Sequence, residues 1–172
     1  CRQTLLYPTL GTSYMYAENK RNGCRPEASD IMIYSPNVMV IRDDDYKMIQ
    51  PFKVDIISSP AVDNRNGFVR DSEEIMLNRI RKIVMTAASE KADILILGAF
   101  GCGVFKNDPL KVAQSFYKVL VEEGYKKYFY LVLFPIYKDS HLYQIFNSVL
   151  GNKIGNSTSK TISEKNCFKS KY

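Results

Sequence analysis

The sequence predicts an α/β fold built on parallel strands with helices against both faces of the sheet. Three observations predict it. Strand-like and helix-like runs alternate three times from about residue 54 onward. The strand-like runs "VDIISSPAV", "DILILG" and "YFYLVLFPI" are apolar nearly throughout, as strands covered on both faces are. A glycine cluster, "GAFGCGVF", separates one such strand from the next helix, which is where open α/β sheets take their ligands. The repeated order implies right-handed crossovers. At 172 residues and 45% hydrophobic, the chain is expected to bury one sizeable core.

The elements follow in order. Residues 1–53 are the least regular. "DIMIYSP" and "NVMVIRDDDYKM" alternate as two strands, with Ser35-Pro36-Asn37 as the turn between them. Asp43-Asp44-Asp45 offers hard-cation ligands, but no calcium-loop spacing follows, and successive strand side chains point to opposite faces. An exposed acidic turn is the better reading. "VDIISSPAV" should stop as a strand at Ser58 or Ser59, before the proline.

A helix follows, with Asp71 and Glu74 spaced as a capping box. Its apolar face is Met76, Leu77, Ile80, Ile83, Val84, Ala87 and Ala88, and it should end near Glu90–Lys91. "DILILG" reads as a central strand. The next helix is capped by Asn107 or Asp108, with Pro109 in its first turn. Its face is Val112, Ala113, Phe116, Val119 and Leu120, and Gly124 stops it. "YFYLVLFPI" is a second central strand. The last helix begins after Asp139 or Ser140, buries Leu142, Ile145, Phe146, Val149 and Leu150, and ends at Gly151.

Charge and composition exclude several classes. No run reaches the length of a membrane span, and the amino terminus lacks the layout of a signal peptide. The setting expected is therefore intracellular, cytoplasmic or nuclear. Four scattered cysteines (Cys1, Cys24, Cys102, Cys167) and the single His141 offer no zinc spacing, and the thiols are expected to be reduced. No metal and no cofactor is called for. Of the net charge of +6, residues 151–172 carry +4, so the body is near neutral and a poor nucleic-acid footprint. That end is too poor in apolar residues to order itself. The expected division is a folded domain over 1–151 and a basic tail over 152–172, with nucleic acid a partner only through that tail. A chain beginning at Cys1 rather than Met is expected to be a portion of something longer.

Glycines let backbone amides turn toward a ligand with no Cβ in the way, and such nests of N–H groups suit a phosphate or diphosphate. Two standard phosphate motifs fail. Gly98 and Gly103 have the ATPase-loop spacing, but Val104 stands where lysine is required. Gly101 and Gly103 fit a dinucleotide fingerprint whose third glycine would fall at Lys106. A turn that merely packs strand to helix stays open at this point. Cys102 has no histidine coupled to it in sequence, which argues against a thiol nucleophile.

Several stretches in order resemble one family, the bacterial-type (microbial) poly(ADP-ribose) glycohydrolases of the macrodomain superfamily. They are "CRQTLLYPTL", "IMIYSPNVMVIRDDD", "VDIISSPAV", "LILGAFGCGVFKNDPLKVAQSF" and "LVLFPIYKDSHLYQIFNSVL", together covering Cys1 to Gly151. The resemblance implies a three-layer α/β/α macrodomain-like mixed sheet that binds ADP-ribose, with an amino-terminal part of the family domain not included. It implies that Gly98, Ala99, Phe100, Gly101, Cys102, Gly103, Val104 and Phe105 form the ligand loop. Backbone amides from Gly101 to Phe105 would hold the diphosphate, and Phe105 would lie near the distal ribose. Phe134 and Tyr137 would flank the adenine.

Two positions depart from the family pattern: Asp63 stands where asparagine is usual, and Lys138 where a small or acidic residue is usual. The family's paired catalytic glutamates belong to a glycine-rich loop placed before "CRQT", so the resemblance assigns no catalytic residue to this chain. Glu73-Glu74 serves better as a helix-start pair than as the acid of a glycosidase. The function implied is ADP-ribose or poly(ADP-ribose) binding by a monomer, with glycosidic hydrolysis in the full-length form. The alternatives are an inactive ADP-ribose-binding macrodomain that meets ADP-ribosylated proteins, or an unrelated nucleotide-binding α/β domain.

Overall fold

The computed structural model describes residues 17, 18, 20–23 and 25–154. The expectations placed on "CRQTLLYPTL", on Cys1, Cys24 and Cys167, and on the tail beyond residue 154 lie outside those residues. The architecture is mixed α/β. β1, Ile33–Arg42, pairs antiparallel with β2, Met48–Ser58. The acidic turn closes this hairpin as expected, with the Asp43 carboxylate accepting from the amides of Asp45 and Lys47.

The turn expected at Ser35-Pro36-Asn37 is instead a bulge inside one continuous strand. Register shifts between Ser35 and Val38, and Asn37 sits at φ 56°. Across the hairpin, Asp55 accepts from the Asn37 amide and from the Tyr34 hydroxyl, each at 2.7 Å, which holds the extra residue within the ladder. Met48 belongs to the second strand rather than the first.

α1, Ser72–Ser89, buries Met76, Ile80, Ile83, Val84 and Ala87 as expected and adds Arg79, which is 1% exposed. Arg79 donates to the carbonyls of Glu27, Ala28 and Pro60 and pairs with Asp30 at 3.1 Å, so the segment before β1 and the exit of β2 are pinned to this helix. The predicted capping box does not form. Asp71 takes the left-handed conformation (φ 58°), and its carboxylate lies 3.5 Å from Arg70 rather than on a helix amide. A capping side chain needs an extended backbone to reach the first turn.

β3, Ile94–Ile96, and β4, Leu131–Leu133, form a parallel pair. Between them α2, Pro109–Tyr117, continues into a wide turn, Lys118–Glu122, and stops at Gly124 in the left-handed conformation (φ 77°). Tyr125–Tyr128 is a 3-10 turn, so the strand expected from Tyr128 is shorter than the apolar run. α3 spans Ser140–Ile154 and passes through Gly151, because Ile154 buries one turn beyond Leu150. Asp139 caps it, accepting from the Leu142 amide.

One core unites these parts. Leu95 and Val132 turn into it from the strands, and Ile80, Val84, Phe116, Leu120, Phe146 and Leu150 enter from the three helices. Each such side chain contributes about 1.5–3 kcal/mol on full burial.

The double-sided cover expected for "DILILG" is not observed: Ile94 is 52% and Ile96 66% exposed on the opposite face of the pleat. Among the described residues β2 ladders only with β1, and all three helices share the side of Leu95 and Val132, so the parallel sheet is one pair covered on one face.

Candidate functional site

The parallel register carries the glycine loop and the exit of β4 to the same end of the sheet. The Leu97 amide donates to the Leu133 carbonyl at 2.8 Å, which sets Gly98 alongside Phe134. From there the loop folds on itself. The Phe100 amide bonds to Gly98, Cys102 to Ala99, Lys106 to Gly103 and Asn107 to Gly101. These bonds leave the amides of Gly103, Val104 and Phe105 with no acceptor among the described residues. Three consecutive free N–H groups on an exposed loop are what a diphosphate requires of backbone.

Two glycines have different duties here. Gly101 sits at φ 74°, and a Cβ there would fall 2.6 Å from Asn107 Nδ2 and 2.8 Å from Ala61 Cβ. Close packing therefore fixes it. At Gly103 a Cβ would meet nothing within 4 Å, so that position is open toward a ligand.

Asn107 organises the loop. It is 5% exposed; its amide nitrogen donates to the carbonyls of Val62 (2.8 Å) and Gly101 (3.0 Å), and its oxygen accepts from Asn64. The Asn64 amide in turn donates to the Phe105 carbonyl at 2.9 Å. The loop after β2 and the glycine loop are thereby one unit. Sequence reasoning treated Asn107 only as a possible helix cap; Asp108 does that work, accepting from Leu110 and Lys111.

Arg65 is a second residue the sequence did not single out. Its guanidinium lies 5.5 Å from the centre of the Phe105 ring, within cation–π range, and is gripped by both Asp63 oxygens. That hydrogen bonding holds the Asp63 carboxyl below its usual range, so the departure from asparagine at this position brings its own counter-charge.

The remaining expected site residues divide. Gly98 to Cys102 are half-buried along the loop, whereas Gly103, Val104 and Phe105 are exposed. Phe134, half-buried, packs its ring against Phe116 (5.0 Å between centres) and Phe146 (5.8 Å) at the edge of the core. Tyr137 is 82% exposed, with Lys138 Nζ 4.9 Å from its ring centre. Burial, with a smaller contribution from the Asp108 charge, pushes the Cys102 thiol up to about 12, which suits a packing role and not a nucleophile. His141 is exposed at the start of α3.

Residues 1–43 match the family model for the catalytic domain of microbial-type PARG. No curated protein matches the chain. Among solved structures, poly(ADP-ribose) glycohydrolase from Thermomonospora curvata is 32% identical, with a TM-score of 0.70, over 77% of this chain and 52% of its own. The same organism's enzyme bound to the inhibitor ADP-HPD matches equally well. The Deinococcus radiodurans enzyme in complex with ADP-ribose is 30% identical, with a TM-score of 0.73, over 84% of this chain and 62% of its own. The chain thus spans between half and two thirds of the length of these relatives. In its amino-terminal residues, in sequence identity and in fold, the chain is similar to the microbial-type poly(ADP-ribose) glycohydrolases.

Proposed function

We propose that this chain holds ADP-ribose through the loop from Gly98 to Phe105, as the ligand-binding portion of a poly(ADP-ribose) glycohydrolase. The observation that carries the reading is the run of unpaired amides at Gly103, Val104 and Phe105, beside the carboxyl ends of two parallel strands. The likeness to the Deinococcus radiodurans enzyme solved with ADP-ribose supports it. Phe105, backed by Arg65, forms the aromatic end of the same loop.

Cleaving a glycosidic bond requires a carboxyl group to protonate the departing oxygen. The acids bordering this loop among the described residues are committed elsewhere. Asp63 is held by Arg65, Asp108 caps α2, and Glu73 pairs with Lys111 at 3.2 Å. These residues therefore hold the ligand without supplying its acid. The same observation favours, as a second reading, an ADP-ribose-binding module that performs no hydrolysis.

Gly103→Leu tests the loop. Its backbone is unstrained and its surroundings are open, so the fold should persist by circular dichroism. The new side chain would occupy the space in front of the free amides, and calorimetry should register loss of ADP-ribose binding. Binding at unchanged affinity would remove the loop from the site. A form of the protein that carries, before "CRQT", the glycine-rich segment with paired glutamates separates the two readings: it should hydrolyse poly(ADP-ribose) on the first and leave it intact on the second.

A further inference from the structure

Asp63 and Arg65 form a pair whose geometry is stricter than stability requires. The guanidinium donates to both Asp63 oxygens, through Nε at 2.9 and 3.0 Å and through Nη2 at 2.6 Å. The Arg65 amide donates to Asp63 Oδ1 at 3.1 Å, and the Asp63 amide to the Pro26 carbonyl at 2.8 Å. Backbone and side chain are therefore both fixed at this turn. Yet the Arg65 side chain is 50% exposed, and exposed ion pairs contribute little to stability. What the forked grip supplies is orientation.

That orientation leaves one edge of the guanidinium unused. Asp63 engages Nε and Nη2, and Nη1 has no acceptor among the described residues. The same guanidinium lies 5.5 Å from the centre of the Phe105 ring, and the neighbouring Asn64 amide holds the Phe105 carbonyl at 2.9 Å. Arg65 is thus tied beside the residue whose amide ends the run of free N–H groups. Those amides carry partial charges, whereas a diphosphate carries full ones, so the loop alone leaves anionic charge uncompensated. A guanidinium edge held in place is the side-chain group best suited to a phosphate.

We propose that Arg65 sets the specificity of the ligand site: its Nη1 edge takes one phosphate of a diphosphate, and the amides of Gly103, Val104 and Phe105 take the other. Asp63 is the positioning residue that holds the guanidinium for this contact. Asparagine at 63 would offer one acceptor oxygen where the carboxylate offers two, so the acidic residue serves the arginine. The proposal rests on the reading of the loop above and deepens it. A ligand with two adjacent phosphates satisfies both groups, and a monophosphate satisfies one.

Calorimetry of the Arg65→Gln chain with ADP-ribose and with AMP tests it. ADP-ribose should bind about tenfold or more weakly, the loss of one charge-assisted hydrogen bond. Its preference over AMP should fall with it. The urea midpoint should stay at the parent's value, because the side chain is exposed. The double variant Asp63→Asn with Arg65→Gln should bind ADP-ribose as weakly as Arg65→Gln alone. Unchanged ADP-ribose affinity in Arg65→Gln, or an equal loss for both ligands, would overturn the proposal. Recovery of the parent's affinity in the double variant would overturn it too, since Arg65 would then serve only to neutralise Asp63. A parent chain that binds neither ligand would instead remove the reading of the loop, and this inference with it.

Discussion

Gly101 and Gly103 stand two residues apart and should respond oppositely to a single methyl group. Gly101→Ala would drive a Cβ to 2.6 Å from Asn107 Nδ2 and 2.8 Å from Ala61 Cβ, at a φ of 74° that disfavours any side chain. Strain and overpacking of that kind cost about 1–3 kcal/mol, and urea unfolding should show the midpoint fall. Gly103→Ala enters open space and should leave the midpoint where it was. Cys102 between them gives a pH signature. Its folded thiol ionises only near 12, against an ordinary value of 9.0, so between those values the folded state holds a proton that the unfolded state has lost. This contribution to stability is complete below pH 9 and declines as pH rises toward 12. Residue-resolved alkylation at pH 9 should accordingly leave Cys102 unmodified in the folded protein and modify it on unfolding; equal rates in the two states would contradict its burial.

Among the elements, α1 shows how one buried cation holds a region with few apolar contacts. Arg79 collects three carbonyls and Asp30 around one guanidinium. Arg79→Ala would leave buried carbonyls bare and should cost at least about 2 kcal/mol, read again by urea unfolding. Arg79→Lys should recover little, since one ammonium cannot reproduce the planar fork. That residue also marks the limit of sequence reading: a cationic side chain on the apolar face interrupts the pattern, and its partners lie 19 to 52 positions away. The helices themselves were legible, because Met76, Ile80, Val84 and Val112, Phe116, Leu120 repeat at helical spacing. Strand pairing was not. Apolarity at Ile94 and Ile96 implies cover but cannot say that β2 would ladder with β1, and Pro36-Asn37 reads equally as turn or bulge until Asp55 is seen across the hairpin. In the site, the glycine loop was legible from its composition, whereas the Asn64–Asn107 tie joins residues 43 apart with no local signal.

At the scale of the molecule, the proposed ligand site and the fold draw on the same two loops. Asn107 joins Val62, Gly101 and Asn64, and the Asn64 amide closes on Phe105, so a ligand that orders residues 98–105 also restrains the segment leading into α1. A ligand that binds only the folded state stabilises it by mass action, by about 2.7 kcal/mol at a hundred times its dissociation constant. For a chain of this size that corresponds to a rise in Tm of roughly 5–10 °C. ADP-ribose should produce this rise in the unaltered chain, and hydrogen exchange should slow in both loops together, residues 61–69 as well as 98–107. Gly103→Leu should keep its own Tm and lose the ADP-ribose increment. If exchange slowed in the glycine loop alone, the hydrogen bonds through Asn64 and Asn107 would not couple the two segments, and the Asn107→Ala variant would then bind ADP-ribose as the parent does; coupling requires instead that this variant lose both affinity and the protection of residues 61–69.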